Sequence, residues 1–427
     1  MSAKKRDSIV CKYEFEMAKC NFPVWNNEDK FCIFHSNLLN EKRKKFKIEF
    51  DKYLRKLEKE SGKLKVVHGF IFPETLRLHD IKFSHPIWFW NCKFYGDLDI
   101  DRCEFNTDFR MNKCTINGST YIKWSYFNRV FTFNDNIVNE NFEFHLNYVK
   151  SDTVFRSSKV NGFIAIKYSS FSGELDILDT ISEKAWYIYA IDFSKATRTR
   201  FRNLDFSNVY FFDSKLVDID FSGITWRIQK NRIIIGDEIS FHSQKIPVFY
   251  PVKNFINSND WESIIESLYL QLCTNFDKNR LFNIAGKFYI SALEMRRYSK
   301  TSWLKRNIFS WEAWYKYISL YGQSAKRAFW GILLVILTST FIISFDKNIL
   351  QTSTPIKINY GLKNILSFLD MYLNAFKYNL YYIIHPAETT FQDKLTITAF
   401  VTAWERILII ILGTFFLLAL KRRFKRN

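Results

Sequence analysis

Glycine is scarce in this chain, with 13 residues in 427. No Gly-rich phosphate loop, no G-x-S-x-G elbow and no H-E-x-x-H helix occurs in it, which argues against the nucleotide, acyl-transfer and metalloprotease chemistries that need them. His68, His79, His85, His145, His242 and His385 are scattered and read as surface or satisfied residues, so no enzyme is expected. The N-terminal stretch MSAKKRDSIVCKYEF has no apolar secretory core, and the seven cysteines form no disulfide framework. A reducing, cytosolic setting is therefore expected for residues 1 to about 325.

Acidic residues are also in deficit, 43 against 62 Lys and Arg, for a net charge of +19. The surplus is local. Residues 81–226 carry 17 basic and 18 acidic side chains, residues 1–80 carry 18 and 12, and residues 227–427 carry 27 and 13. No nucleic-acid partner is expected, and the basic C-terminal part adjoins long apolar segments.

What the chain does have is a regular beat, with an apolar residue at every eleventh position. One column reads Phe83, Phe94, Phe105, Ile116, Phe127, Val138, Val149, Val160 and Phe171. A second, offset by about half a period, reads Phe89, Ile100, Met111, Ile122, Phe133, Phe144, Phe155, Ile166 and Ile177. Two positions before the first column lie mostly small or polar residues, from Cys92, Cys103 and Cys114 to Asn136, Asn147, Ser158 and Ser169. After a weak stretch near Ser182 the spacing settles to five at Phe201, Phe206, Phe211, Leu216, Phe221 and Trp226. A short fixed period with alternating inward positions means coils stacked on one axis, each burying its face against its neighbours. A helix would instead repeat its apolar face once per helical turn.

In NLDFSNVYFFDSKLVDIDFSG, Asn203 to Gly223, the chain resembles the pentapeptide-repeat family, whose unit has a large apolar centre and a small residue two before it. The resemblance is looser in the region of alternating five and six. It implies a right-handed quadrilateral β-helix (a β-solenoid) of four units per coil; residues 81–226 would make roughly seven coils about 4.8 Å apart. Ile81 departs from the pattern by filling a small-residue position. Some family members are acidic mimics of duplex DNA, and the neutral charge of this repeat argues against that role. Cys92, Cys103 and Cys114 share one column position and read as small buried residues rather than as metal ligands.

Cys11, Cys20, Cys32 and His35 give C-x8-C-x11-C-x2-H within residues 1–40. Three thiolates and an imidazole form a tetrahedral set for structural zinc, with no position left for catalysis. The segment is too short to fold on its own core, so a metal would organise it. Over 41–80, Phe46, Phe50, Leu54 and Leu57 mark an amphipathic helix, read as a cap over the open first coil.

Beyond a 227–257 linker with Pro247 and Pro251, residues 258–325 read as a helical connector, with Ser258 or Asn259 capping its first helix. Its stretch SLYLQLCTNFDKNRLFNIAGKFYISALEMRR is similar to a helical pair following the repeats in membrane-attached pentapeptide-repeat proteins. Residues 326–427 hold two expected spans, about 328–345 and 400–420. The second includes Glu405 and Arg406, a costly pair that needs separate outlets or partners. Lys326 and Arg327 before the first span, and Lys421, Arg422, Arg423, Lys425 and Arg426 after the second, place both termini in the cytoplasm of a bacterial-type inner membrane. The segment between the spans reads as interfacial or re-entrant, and its one glycine, Gly361, is misplaced for a potassium filter. The expected function is a membrane-anchored solenoid scaffold with a protein partner or a second copy of itself; the alternative is an ion-conducting or membrane-permeabilising effector.

Overall fold

The computed structural model describes residues 10–15, 18–25, 30–59, 65–243, 261–300, 302–344, 362–384 and 397–426. Pro247, Pro251, Ser258, Asn259, Gly361 and His385 lie outside these residues, as does the side chain of Leu57. The chain forms two units, Met1–Asn279 with Lys287–Ala292, and Arg280–Gly286 with Leu293–Asn427.

The first unit is a β-solenoid of about seven turns with four parallel walls of eight, seven, six and five strands. Successive coils pair in register: Phe83 with Phe105 and Phe105 with Phe127 on one wall, Phe94 with Ile116 and Ile116 with Val138 on another. Each apolar column of the sequence is therefore two walls interleaved. The expected core residues Phe83, Phe89, Phe94, Phe105, Phe127, Phe133, Phe144, Phe155, Phe171, Phe201, Phe206, Phe211, Leu216 and Phe221 are all at most 5% exposed. Rings stack along the axis, with Phe83 and Phe127 each 4.8 Å from Phe105 and nearly parallel to it.

The small column has a chemical reason. Each of its side chains reaches one coil back. Cys92 Sγ donates to the Val67 carbonyl at 3.1 Å, Asn136 Nδ2 to Met111 at 2.9 Å, Asn147 Nδ2 to Ile122 at 2.7 Å, and Ser158 Oγ to Phe133 at 3.1 Å. From Ser125 upward they also accept: Cys103 N–H donates to Ser125 Oγ, and Cys114 N–H to Asn136 Oδ1. A buried ladder of side chains thus satisfies backbone groups that no water reaches. Just before each small residue the chain turns a left-handed corner, with φ between +48° and +56° at every eleventh position from Asp80 to Ala190.

The parallel ladder starts at Lys65–His68, ahead of the expected boundary at Ile81. Val67, Phe72 and Leu78 continue the two columns backward and are buried. Phe70 and Ile81 fill the small positions there. A small side chain serves a carbonyl on the preceding coil, and Phe70 and Ile81 have no coil behind them to serve. Near the other end the weak stretch holds a 3-10 turn, Phe193–Lys195. There Leu175 pairs with Thr199 and Thr199 with Ile219, so one coil is longer than the regular repeat and the next is shorter.

Both ends of the stack are covered. Helix α1, Leu39–Lys59, buries Phe46, Phe50 and Leu54, and Phe46 and Phe50 meet Phe72 of the first coil at 5.2 and 5.1 Å. Helix α2, Gly236–Ser243, and helix α3, Trp261–Lys278, close the last coil. Its unpaired N–H groups at Phe211, Leu216 and Ile219 donate to Asp237, Gln271 and Asn275 at 2.8, 2.7 and 3.2 Å. The buried Glu238 takes both Arg232 and Tyr269, whose hydroxyl donates to it at 2.6 Å. Burial opposes its charge, yet these donors and His242 hold its carboxyl at about 2.

Helix α4, Phe282–Tyr298, leads into the second unit, with α5 at Trp303–Asn307, α6 at Trp311–Ser319, α7 at Ala325–Ile343, α8 at Leu362–Ile384 and α9 at Ile397–Arg426. Buried Glu294 receives Arg297 and Tyr321 at 2.7 Å each and Lys316 at 2.9 Å, tying α4 to α6 and the turn after it. Helices α7 and α9 are long and apolar enough to cross a membrane, over Ala325–Ile343 and Phe400–Lys421. At about 1.5 Å per residue these reach about 28 and about 33 Å.

Candidate functional site

The four residues of the N-terminal cluster come together although Cys11 and His35 lie on separate loops. Their ligand atoms all fall within 4.8 Å of one another. Cys11 Sγ is 3.6 Å from His35 Nδ1, Cys32 Sγ is 3.2 Å from the same nitrogen, and Cys20 and Cys32 sulfurs are 3.8 Å apart. A tetrahedral ion with bonds of about 2.3 Å to sulfur and about 2.0 Å to nitrogen sets its ligands roughly 3.6–3.8 Å apart. The cluster can hold a metal ion.

Local structure builds it in two pieces. A short hairpin pairs Glu14–Phe15 with Ala18–Lys19 and sets Cys11 and Cys20 on its flanks. The turn after Cys32 closes with the His35 and Ser36 N–H groups donating to the Cys32 carbonyl. Cys11, Cys32 and His35 are buried. His35 Nε2 donates to the His68 carbonyl at 2.9 Å, which leaves Nδ1 as the lone-pair nitrogen facing the three sulfurs. Tyr13 stacks on the His35 ring at 3.9 Å and reaches His68 Nδ1 at 2.8 Å. The cluster is thereby fastened to the first coil. Electrostatically it wants a cation. The Cys32 thiol, hydrogen-bonded to Cys20, holds Cys20 down at about 4. The same bond, then burial, pushes Cys32 well up, and burial raises Cys11.

Sequence reasoning brought out these four residues and missed the groups that support them. The His68 carbonyl carries no sequence signal. Lys42 is another surprise: it is fully buried, and its ammonium donates to the carbonyls of Ser36 at 2.6 Å and Ile71 at 2.7 Å. Cys92, Cys103 and Cys114 lie in the hydrogen-bonded ladder, and among the described residues no metal-ligand group includes them.

In the second unit, α9 runs unbroken through Glu405 and Arg406. Glu405 is 2% exposed and takes a 3.0 Å bond from Asn379 Nδ2 of α8, so its partner comes from the intervening segment. Lys421 is exposed at the end of the apolar stretch; Arg422, Arg423, Lys425 and Arg426 continue the same helix, their side chains outside the described residues. Ahead of α7, Phe309, Trp311, Trp314 and Tyr317 are 57–88% exposed. No protein-family model, curated protein or solved structure matches the chain. Fold and site define the class: a β-solenoid protein with a metal-competent cap and two helices able to span a membrane.

Proposed function

We propose that this is a membrane-anchored protein of pentapeptide-repeat type that presents its solenoid to the cytoplasm as a scaffold for a protein partner or a second copy of itself. The observation carrying this reading is a solenoid closed at both ends, near neutral in charge, on a chain that continues into two apolar helices with basic flanks. Both termini lie on the cytoplasmic side of an inner membrane, because moving Lys421, Arg422, Arg423, Lys425 and Arg426 across it opposes the positive-inside bias. The exposed aromatics at Trp311, Trp314 and Tyr317 suit the headgroup level. The metal is zinc, chosen by a soft three-thiolate set, and it is structural because four protein ligands complete the shell. No catalytic role is assigned. A reporter active only outside the cytoplasm should be silent when fused after Asn427 and active when inserted near Ser353. An external signal at Asn427 would sink the two-span topology.

A second reading, an ion-conducting effector, is favoured by the polar contacts between α7, α8 and α9 in an otherwise apolar zone. Oligomer size in detergent together with flux into liposomes tests it: a non-conducting monomer removes it.

A further inference from the structure

The solenoid turns its left-handed corners along two edges, and the two edges carry different residues. One holds Asn91, Lys113, Asp135, Ser157, Asp179 and Asn203, mostly Asn and Asp, the side chains that accept this backbone at least cost. The other holds Asp80, Arg102, Trp124, Leu146, Tyr168 and Ala190. At Trp124, Leu146 and Tyr168 φ is +53°, +54° and +50°, where a bulky side chain crowds the carbonyl that follows it. Coil stacking does not require bulk there, since the first edge turns the same corner without it. Strain of this kind persists where a side chain is kept for use.

The three residues stand in successive coils, and further rings flank them. His145 lies between Trp124 and Tyr168, 6.4 Å from one ring and 5.6 Å from the other. On the adjoining wall Tyr126 pairs with Tyr148, their ring centres 6.3 Å apart. Trp124, Tyr126, Tyr148 and Tyr168 are 37–57% exposed, whereas Leu146 is half-buried, which leaves a notch between Trp124 and Tyr168. The Trp124 indole N–H and the Tyr126 hydroxyl make no hydrogen bond among the described residues and are free to donate.

Area and period decide what fits this edge. At about 200 Å² a ring, the exposed fractions amount to roughly 400 Å². A stable pair of folded proteins needs about 800 Å² on each side, so a second copy fits poorly and a short segment fits well. The nearby charges nearly balance: Asp101, Glu104 and Glu143 are paired with Arg102, Lys82 and Lys167, and Lys123, Arg129 and Lys150 stand against Asp152 and Asp213. They select neither an acidic nor a basic ligand. The period does select. Trp124 and Tyr168 are two coils apart, about 9.6 Å along the axis, and a polyproline II helix repeats every three residues, about 9.3 Å. A chain in that conformation, laid along the edge, would set one prolyl ring in the notch and the next one just past Tyr168. Its carbonyls have no internal partners and would meet the two free donors.

We propose that the edge built from Trp124, Tyr126, Leu146, Tyr148 and Tyr168 binds a proline-rich segment of a partner protein in the polyproline II conformation. This rests on the reading of the solenoid as a scaffold for a protein partner, and it names the surface and the chemistry that surface recognises.

The test is binding of a fluorescein-labelled L-proline decamer to the full chain in detergent, read by fluorescence anisotropy. The D-proline decamer, whose helix has the opposite hand, is the comparison. The L form should bind at least tenfold tighter than the D form. Trp124→Asn and Tyr168→Asn should each weaken it about tenfold, as anchors at the centre of a contact do, and leave the melting temperature unchanged or higher. Tyr126→Ser, on a straight wall where Ser170 stands two coils on, should weaken it as well. No binding of the L form, equal binding of both hands, or binding indifferent to these substitutions overturns the proposal. So does a fall in melting temperature in both Asn variants, which would make the rings part of the fold. A dimer that Trp124→Asn takes apart also overturns it and assigns the edge to a second copy. Protein recovered without detergent overturns the membrane anchor and leaves this measurement untouched, so the two failures are separable.

Discussion

Substituting Asn136 measures what the buried ladder contributes to stability. Asn136 is fully buried; its Oδ1 accepts from Cys114 N–H at 2.8 Å, and its Nδ2 donates to the Met111 carbonyl at 2.9 Å. Asn136→Ala removes both bonds. It orphans a buried N–H, costing about 1–3 kcal/mol, and forfeits a second bond worth about 1 kcal/mol, so the loss should be about 3 kcal/mol. Asn136→Ser restores an oxygen of the kind used at Ser125, Ser158 and Ser169, and should cost about 1 kcal/mol. The two variants differ by one oxygen atom, so their difference isolates the rung. Asn128→Ala serves as a control: its amide reaches only Asn106 on the outside, at 2.8 Å, and should cost about 0.5 kcal/mol. Urea unfolding of the full chain in detergent, followed by its β-sheet circular dichroism, gives the three values. Equal stability of the Ala and Ser variants would refute the ladder as a source of stability.

Cys32→Ser, or treatment with a chelator, should release the bound metal and open residues 10–35 to protease while the β-sheet signal persists; purified protein with no bound metal and full N-terminal protection contradicts the site. Glu238, held at about 2 against an ordinary value of 4.5, contributes stability that is complete at neutral pH and is lost as pH falls from about 4.5 toward 2. Glu238→Gln should therefore lower stability at pH 7 by about 3 kcal/mol and flatten that acid limb, and an unchanged acid limb would count against the Arg232–Glu238–Tyr269 network. Lys113→Asn should raise stability by about 1 kcal/mol, since Lys113 is exposed and holds φ at +54°, where Asn is at ease; a fall in melting temperature would contradict the corner argument.

The walls of the solenoid were legible because burial repeats: Phe105 and Phe127 must point inward for the same reason as Phe83, and the repetition averages out local noise. Its beginning was harder to read. Phe70 and Ile81 break the small-residue rule for a reason visible only in three dimensions, namely that no further coil lies behind the first, and Phe70 instead stacks flat on Phe34 of the cap at 4.5 Å. The cluster Cys11, Cys20, Cys32 and His35 was legible from residue type and spacing, whereas Lys42 and the His68 carbonyl act through backbone geometry that residue type does not encode. Glu405 was visible as an anomaly in an apolar run. Its partner Asn379 was not, because a pairing between two separate helices leaves no periodic trace in the sequence.

A regular repeat between two dissimilar ends makes the solenoid a spacer of adjustable height. Duplicating one full turn would lengthen it by about 4.8 Å and leave every wall, and both ends, in register. Duplicating half a turn would preserve the hydrophobic beat just as well in sequence, but would rotate everything above it to the opposite side. The Leu216 and Ile219 N–H groups would still meet Gln271 and Asn275, because the last coil and its cover lie on the same side of the insertion and turn together. Length in this protein can therefore change without uncovering either end, and what separates a whole turn from a half is direction: complete coils keep the two covers as they face now, and half of one sets them on opposite sides of the axis.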